Sequence, residues 1–466
     1  MSSAETRTEH DLLGERQVPA GAYWGIHSLR ARENFPLLGR APDTGLIAAF
    51  AQVKKACART NAELGFLAPE VATAIAAAAD ELAAGGLIDQ IVVDALQGGA
   101  GTSLNMNVNE VLANRAEEML GGVKGAYARV HPLHHVNLHQ STNDTYPTAL
   151  KVAAIRGLHR LEKAVAALQS AFQAKERQFA GLVKMGRTEL QDACPMTLGA
   201  EFSAWAEALS RDRWRVFKCE ERLRVINLGG TAIGTGLTAP RDYIFLVTER
   251  LRDETGLNLA RAENLVDATQ NADAFAEVSG ILKAHAVNLF KISSDLRLLS
   301  SGPRAGLGEL ILPAVQAGSS VMPGKVNPVI AEAVGQVAML VIGNDAMVTA
   351  AALSGQLELN AFLPLLAHAL LESLGVLAAA AETFRRRCVE GIEADAAVMA
   401  AHVEASWATV TALLPRIGYE RATQLAAKAR ATGRPVAALA VEEGLLDQAT
   451  VDALLSPEAM TALGFR

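Results

Sequence analysis

The stretch from Gly318 to Pro328, which reads GSSVMPGKVNP, contains side chains that suit the binding of a carboxylate. It combines the hydroxyls of Ser319 and Ser320 with the cation of Lys325 and the amide of Asn327. Its glycines let the backbone approach a ligand closely, and its prolines limit the conformations that are frozen when the loop closes. Because a preorganised loop loses less entropy on binding, the sequence predicts a ligand-binding loop here.

A serine in such a loop could also be an acyl nucleophile. That role is usually marked by a Gly-x-Ser-x-Gly turn between a strand and a helix. The residues around Ser319 do not have this pattern. The sequence therefore favours acid–base or binding chemistry over nucleophilic hydrolysis.

Three further segments, 101–107, 140–144 and 186–192, combine small polar side chains with glycine or asparagine. Each could be a helix N-cap or a turn, since Ser, Thr, Asn and Asp are the preferred residues there. Each could equally contribute polar groups to a ligand site, and the residue types leave both interpretations open.

The elements that would position these residues are long helices. Apolar residues recur at helical spacing over about 144–180, 197–226, 264–300 and 328–390, and the stretch 329–342 is apolar nearly all round. A helix that is apolar on every face must be buried on every face, which favours several subunits merging their helices in a homo-oligomer.

Changes in pattern predict three domains. We expect a mixed helical N-terminal domain over 1–140, a central long-helix bundle over 141–396 and a small helical C-terminal domain over 397–466.

Composition excludes several classes of function. A net charge of −7 and the lack of long basic runs argue against nucleic-acid binding. The four cysteines are widely separated, which argues against a disulfide framework or a zinc site. The N-terminus lacks a signal-peptide pattern, and no uninterrupted apolar stretch reaches the length of a membrane span. We expect a cytoplasmic protein without a membrane partner.

The loop at 318–328 resembles the GSSxMPxKxNP signature of the aspartase/fumarase superfamily, whose lyases release fumarate by breaking a C–N or C–O bond. The blocks at 11–14, 97–103, 231–237 and 298–307 extend this resemblance over almost the whole chain, and the last of them are closer to aspartases than to fumarate hydratases. The resemblance implies an all-α, three-domain fold, with a long central helical bundle shared in a homotetramer. It also implies active sites built from three subunits.

The resemblance further implies elimination of ammonia from L-aspartate to give fumarate, without a metal or organic cofactor. Ser319 would be the base that removes the Cβ proton, and Lys325 and Asn327 would hold a carboxylate. The residues expected around the substrate are Thr102, Ser141, Thr142, Asn143, Thr188, Glu189, Ser320 and Met322.

This chemistry needs strong stabilisation of negative charge. A proton next to a carboxylate is weakly acidic, and its removal gives a dianionic aci-carboxylate. A lysine about 4 Å from such an oxygen contributes ~4 kcal/mol at an effective dielectric of 20. Ser319 must also be stabilised as an oxyanion, and we expect backbone N–H groups around Gly318 and Gly324 to do this, together with Lys325.

Glu189 departs from the family pattern, which has His or Gln at this position. An ionised Glu would repel a substrate carboxylate. Burial and like-charge repulsion from Glu332 could keep Glu189 protonated, and its carboxyl group would then donate a hydrogen bond as Gln would. Alternatively, Glu189 selects an amine-bearing amino acid or another substituted succinate. Fumarate hydratase activity, and a non-catalytic protein that retains the fold, also stay open.

Three histidines four residues apart, His131, His135 and His139, could align on one helix as metal ligands. Pro132 favours a turn instead, and the chemistry that the resemblance implies needs no metal. We therefore expect no metal site.

Overall fold

A computed structural model describes residues 5–464, and α-helices dominate it, which confirms the all-α prediction. Its helices in chain order are α1 Ile26–Asn34, α2 Thr44–Glu63, α3 Pro69–Ala83, α4 Thr102–Met119, α5 Thr142–Gln178, α6 Leu198–Leu223, α7 Arg241–Thr255, α8 Leu265–Gln270, α9 Asp273–Leu299, α10 Val329–Leu353, α11 Leu363–Arg387, α12 Ala396–Ala405, α13 Leu414–Ile417, α14 Tyr419–Thr432, α15 Val436–Glu442, α16 Gln448–Leu454 and α17 Pro457–Thr461.

The β-strands of the described residues form small two-stranded sheets. The pairs are β1 Thr6–Asp11 with β2 Gly14–Pro19, β3 Val183–Thr188 with β4 Gln191–Thr197, β5 Val225–Ile226 with β6 Ala260–Arg261, and β7 Leu310–Ile311 with β8 Glu393–Ala394. Only β5 and β6 run parallel among these pairs.

The chain divides into two compact units. The first contains the described residues up to Glu162, with Trp214–Ala286 and Met339–Ala378. The second contains Lys163–Arg213, Val287–Ala338 and the residues from Ala379 onward. The three domains with boundaries near 140 and 396 stay a prediction.

Two of the predicted long segments are interrupted. The segment 264–300 forms α8 and α9, which are separated at Asn271, the C-cap of α8. The segment 328–390 forms α10 and α11, separated by residues 354–362, where Asn360 donates to the carbonyls of Ala351 and Ala352 and so satisfies the end of α10. Helical spacing continues through both breaks, so the pattern of apolar residues did not reveal them.

The first unit is built around α2, whose buried face packs on α3, α4 and α7. Phe50 of α2 meets Tyr146 of α5 edge to face at 5.5 Å between ring centroids. This is a preferred geometry for aromatic pairs. Full burial of each such side chain stabilises the fold by about 1.5–3 kcal/mol.

Aromatic side chains join the long helices of the second unit. Phe172 of α5 lies 5.9 Å from Phe202 of α6 and 6.1 Å from Phe384 of α11, measured between ring centroids. A separate small core forms further along the chain, where Leu413, Leu425 and Leu439 are fully buried together.

The helix α10 is apolar but is only partly covered by its own chain. Both α10 and the segment Leu363–Gly391 are long and apolar enough to cross a membrane. In the most apolar part of each, 33% of α10 and 61% of the second segment is buried. Neither is an uninterrupted apolar stretch of that length, because Asp345 interrupts the first and Glu372 interrupts the second. Buried core helices of water-soluble proteins pass the same test.

The four cysteines occupy two kinds of environment. Cys57, Cys219 and Cys388 are buried, whereas Cys194 is exposed on β4.

Candidate active site

The loop at 318–328 lies in the second unit, directly before α10, and closes on itself. The N–H of Gly318 donates to the carbonyl of Lys325 at 2.8 Å, and the side-chain amide of Asn327 donates to the carbonyl of Gly318 at 2.6 Å. These two bonds fix the ends of the loop against each other, so the residues between them form a defined turn.

The hydroxyl oxygen of Ser319 is held by this turn. It accepts hydrogen bonds from the backbone N–H groups of Val321 at 3.1 Å and Met322 at 2.8 Å. Two such donors favour negative charge on the oxygen. The donors predicted around Gly318 and Gly324 lie instead two and three residues after Ser319, as is common where a serine caps a turn.

The remaining loop side chains face solvent in the single chain. Ser320 and Lys325 are exposed, and the side chain of Met322 is 51% exposed. Within residues 5–464, Lys325 forms no ion pair. Its ammonium group is therefore available to an anionic ligand.

Substitution of Gly318 should disrupt this loop selectively. A Cβ at Gly318 would lie 2.5 Å from the carbonyl oxygen of Lys325, so Gly318→Ala has to break the hydrogen bond that closes the loop. We expect turnover to fall by about tenfold or more, because a displacement of about 1 Å can cost more than this. The unfolding temperature should change little because the loop is exposed.

The control is Gly280→Ala in α9, where nothing lies within 4 Å of the added Cβ. It should leave turnover unchanged. Equal turnover in Gly318→Ala and Gly280→Ala, measured in parallel with calorimetric unfolding, would contradict a functional role for the closed loop.

Thr188 and Glu189 lie at the end of the β3–β4 hairpin in the second unit. Thr188 pairs with Gln191, which leaves Glu189 and Leu190 as a two-residue connection. Both Thr188 and Glu189 are exposed, so the burial that would protonate Glu189 does not come from its own chain. Glu332 lies 4.0 Å from the guanidinium of Arg297 and is partly exposed.

The hairpin connection has a strained backbone. Glu189 and Leu190 have φ values of 53° and 62°. This is the left-handed conformation that tight hairpin turns require and that Gly or Asn adopts most readily. For other residues this conformation costs roughly 1–2 kcal/mol each. Strain of this kind often occurs at functional positions.

Leu190→Gly should therefore stabilise the protein by about 1 kcal/mol, because glycine adopts a positive φ without steric cost. The measurement is the unfolding free energy or the unfolding temperature. Leu190→Ala is the matched control, since it removes the same exposed apolar side chain but keeps the Cβ. A gain in Leu190→Ala as large as that in Leu190→Gly would show that exposure, not backbone strain, is the cause.

A buried carboxylate anchors the hairpin. Glu309 is fully buried and lies 3.1 Å from the ammonium of Lys184, 2.7 Å from the guanidinium of Arg187 and 3.0 Å from Nδ1 of His402. Burial acts to raise the pKa of Glu309, but Lys184, His402 and Arg187 outweigh it and hold this pKa below the usual 4.5. Lys184 and Arg187 are on β3, so this cluster fixes the strand that ends at Thr188.

A second bond secures the opposite strand. The hydroxyl of Ser406 donates to the carboxylate of Asp192 on β4 at 2.7 Å. The strand β3 is thus tied to Glu309 and the strand β4 to Ser406, both of which belong to the second unit.

Thr102 begins α4 in the first unit. Its hydroxyl donates to the carbonyl of Gly99 at 2.6 Å and is exposed, and a tight turn precedes it. Gly101 has a φ of 92°, and a Cβ there would lie 2.1 Å from the ring of Tyr146. Only glycine fits at this position, for both conformational and steric reasons.

Ser141, Thr142 and Asn143 form the start of α5 in the same unit. The hydroxyl of Ser141 accepts from the N–H of Asn143 at 3.1 Å, and the side-chain amide of Asn143 donates to the carbonyl of Ala232 at 2.7 Å. The hydroxyl of Thr142 accepts from the side-chain amide of Asn105 at 3.0 Å. Ser141 thus caps the helix start as the N-cap interpretation predicts, whereas Thr142 and Asn143 form hydrogen bonds to other parts of the unit.

The buried carboxylate of Asp144 connects this helix start to a glycine-rich loop. It accepts from the N–H groups of Ser141 at 3.0 Å, Gly229 at 3.2 Å and Thr231 at 3.0 Å. Burial is the largest influence on its pKa, which rises to about 7.

Lys54 was not identified from the sequence. It is fully buried in α2 and donates to the side-chain oxygens of Asn137 at 3.0 Å and Gln140 at 2.8 Å. Burial lowers its pKa to about 7. The spacing of four, three and four residues between Phe50, Lys54, Cys57 and Asn61 places Lys54 on the buried face of the helix and could have revealed it.

The three histidines spaced four apart do not form one helical face. Residues Pro132–Val136 form a single wide helical turn, and His139 has a φ of 61°. Nδ1 of His131 accepts from the N–H of Leu133 at 3.1 Å, and Nδ1 of His135 accepts from the N–H of His131 at 3.0 Å. In residues 5–464, no group of three or more His, Cys, Asp or Glu side chains is arranged to hold a metal ion.

The sequence matches known families along most of its length. Residues 14–343 match the family described as lyase, and residues 410–462 match that described as fumarase C C-terminus. The aspartate ammonia-lyase of Bacillus subtilis (strain 168) is 46% identical over 460 residues, which are 99% of this chain and 97% of the relative. That of Pseudomonas aeruginosa is 50% identical over 462 residues, which are 98% of each chain.

Solved structures show the same fold. A fumarate lyase:delta crystallin from Brucella melitensis bound to cobalt is 49% identical, with a TM-score of 0.95 over 98% of this chain and 100% of the other. A class II fumarase from Schistosoma mansoni is 32% identical, with a TM-score of 0.94 over 97% and 98% of the two chains. The chain therefore belongs to the lyase family, within the aspartase/fumarase superfamily, and is a carbon–nitrogen lyase.

Proposed function

We propose that this protein eliminates ammonia from L-aspartate to give fumarate. The hydrogen bonds of Ser319 support its role as the base. Its hydroxyl oxygen accepts from two backbone N–H groups, and the same donors would stabilise the negative charge of an alkoxide. The aspartate ammonia-lyases at 46% and 50% identity support L-aspartate as the substrate.

In the proposed reaction, the Ser319 alkoxide removes a proton from Cβ. The electron pair of the C–H bond moves toward the neighbouring carboxylate and gives an aci-carboxylate dianion. This pair then forms the double bond between Cβ and Cα, while the C–N bond breaks on the opposite face and its pair leaves with ammonia. The proton on Ser319 is returned to solvent before the next turnover.

Lys325 and Asn327 stabilise the negative charge that develops on the substrate. The unpaired ammonium of Lys325 contributes ~4 kcal/mol at about 4 Å from the developing charge, at an effective dielectric of 20. One hydrogen of the Asn327 amide bonds to the carbonyl of Gly318, which leaves the other for a substrate carboxylate. The remaining residues that we propose around the substrate are Thr102, Ser141, Thr142, Asn143, Thr188, Glu189, Ser320 and Met322.

We also propose a homotetramer in the cytoplasm, with active sites that draw residues from several copies. The uncovered apolar side chains of α10 support this, since Met339, Leu340 and Leu353 are 58%, 43% and 74% exposed in the single chain. Exposed apolar patches of this kind mark surfaces where proteins associate. Burial of such a surface between copies would favour assembly. Light scattering that gives the mass of one chain would exclude the tetramer.

The proposed reaction is tested by incubating the purified protein separately with L-aspartate and L-malate and following fumarate by absorbance. Fumarate from L-aspartate alone is the expected result. Fumarate from L-malate alone would make the protein a hydratase, like the class II fumarase that it resembles at 32% identity.

The role of Glu189 is tested in the same assay. No fumarate from either compound would overturn the aspartate proposal, and turnover of an amine-bearing analogue would then assign the selection of substrate to Glu189. If aspartate is the substrate, Glu189→Gln should retain its turnover, because an amide N–H can donate to a substrate carboxylate.

A further inference from the structure

The second unit contains an apolar cavity of about 390 Å³ that the proposed reaction does not use. One wall is a single face of α12, formed by Ala396, Met399, Ala400 and Val403 at helical spacing. The volume is in the range of sites that enclose small molecules, about 300–1,000 Å³.

Another part of the lining comes from the C-terminal helices. Val436 of α15, Leu455 after α16 and Met460 of α17 form it. These side chains offer no hydrogen-bonding group, so the cavity suits the apolar part of a ligand.

A polar chamber of about 140 Å³ adjoins the cavity and shares Glu404, Pro435 and Val436 with it. Arg430 lines this chamber, and both Glu404 and Arg430 are exposed. Neither forms an ion pair with another residue of the described range 5–464, whereas Arg434, which also lines the chamber, is paired with Glu442 at 2.5 Å. One unpaired anion and one unpaired cation thus lie beside the apolar cavity.

We propose that the cavity and the adjoining chamber form an effector site for an α-amino acid with a large apolar side chain. Its ammonium would pair with Glu404, its carboxylate with Arg430, and its side chain would fill the cavity. The charges of a zwitterion complement both groups, whereas a simple fatty acid or amine would satisfy only one of them.

Elements that line the cavity also connect it to the hairpin that carries Thr188. Val183 lines the cavity and begins β3, the strand that ends at Thr188. The helix α12 lines the cavity and also carries His402, which contacts Glu309, the partner of Arg187 on β3. The cavity and the hairpin are therefore joined by a continuous series of contacts through which occupation of the cavity could act on the hairpin.

Binding is tested by isothermal titration of the whole protein with L-phenylalanine. We expect saturable binding, weakened by about tenfold or more in Glu404→Gln and in Arg430→Gln, which each lose a charge-assisted hydrogen bond. Phenethylamine, 3-phenylpropanoate and L-alanine each lack one of the three recognised groups and should bind correspondingly more weakly.

Ala400→Phe fills the cavity and should abolish binding, whereas Ala401→Phe is the matched control. Ala401 is exposed and does not line the cavity, so its variant should bind as the wild type does. Thermal unfolding checks that both variants fold. Absence of binding to the wild type, or equal binding by Ala400→Phe and Ala401→Phe, would overturn the site.

Coupling rests on the proposed function and is measured separately. We expect L-phenylalanine to change the KM for L-aspartate in the wild type and in Ala401→Phe but not in Ala400→Phe. Unchanged kinetics despite binding would refute the coupling. Binding in the absence of any turnover of L-aspartate would leave the site in place and refute the proposed function instead.

Discussion

Ser319→Ala is expected to reduce kcat for fumarate formation from L-aspartate by about 10²–10⁴-fold, the usual contribution of a general base. Alanine cannot accept the Cβ proton, and no other hydroxyl is held by the N–H groups of Val321 and Met322 in the described structure. The measurement is the initial rate at saturating L-aspartate, with the unfolding temperature as a check on folding.

Ser320→Ala is the matched control. It removes the adjacent hydroxyl, which is exposed, and should lower kcat much less than Ser319→Ala does. Comparable losses in the two variants would mean that the loop as a whole, and not a specific base, supports the reaction. A kcat in Ser319→Ala within tenfold of the wild type would assign the base to another residue.

Glu309→Ala should destabilise the second unit by about 3–5 kcal/mol, the usual cost of removing one partner from a buried ion pair. It leaves Lys184 and Arg187 without the carboxylate that lies 3.1 Å and 2.7 Å from them. Lys184 keeps Glu201 at 2.7 Å, whereas Arg187 keeps Asp192 at the longer distance of 3.9 Å, so the effect should fall mainly on Arg187. The measurement is the free energy of unfolding in denaturant.

Glu393→Ala on β8 is the control, because Glu393 is exposed. Its removal should change the free energy of unfolding by about 0.5 kcal/mol at most, as is usual for surface substitutions. Similar losses in the Glu309 and Glu393 variants would show that the buried cluster has no special role.

The pH dependence of the Glu309 effect follows from its lowered pKa. A carboxyl whose pKa is lowered on folding stabilises the protein above its unfolded value, here 4.5, and loses this contribution as pH falls through the folded value. The stability difference between the wild type and Glu309→Gln should therefore be complete at neutral pH and decrease below pH 4.5. A difference that grows in acid would contradict the assignment.

The sequence predicted the parts of the structure that depend on local pattern. Apolar spacing located the long helices, and the all-round apolar stretch 329–342 lies in α10, which its own chain leaves partly uncovered. The loop around Ser319 could be recognised because its residue types are themselves the functional groups.

Features that depend on distant partners could not be predicted in the same way. Glu309 and Lys184 are 125 positions apart, and nothing local to Glu309 indicates that it is buried among cations. The left-handed backbone of Glu189 was missed for a different reason, since the register of the two strands imposes it and glutamate does not favour it. The donors to Ser319 were misplaced because the sequence does not specify the direction of each N–H in a turn.

The unequal burial of the cysteines makes the hairpin directly observable. Burial raises the pKa of the Cys57, Cys219 and Cys388 thiols to about 12, so they stay protonated and shielded near neutral pH. Cys194 alone is exposed, on the strand that leads away from Leu190. A maleimide fluorophore or spin label should attach at this single position in the natural sequence, and would report movement of the hairpin without any engineered cysteine.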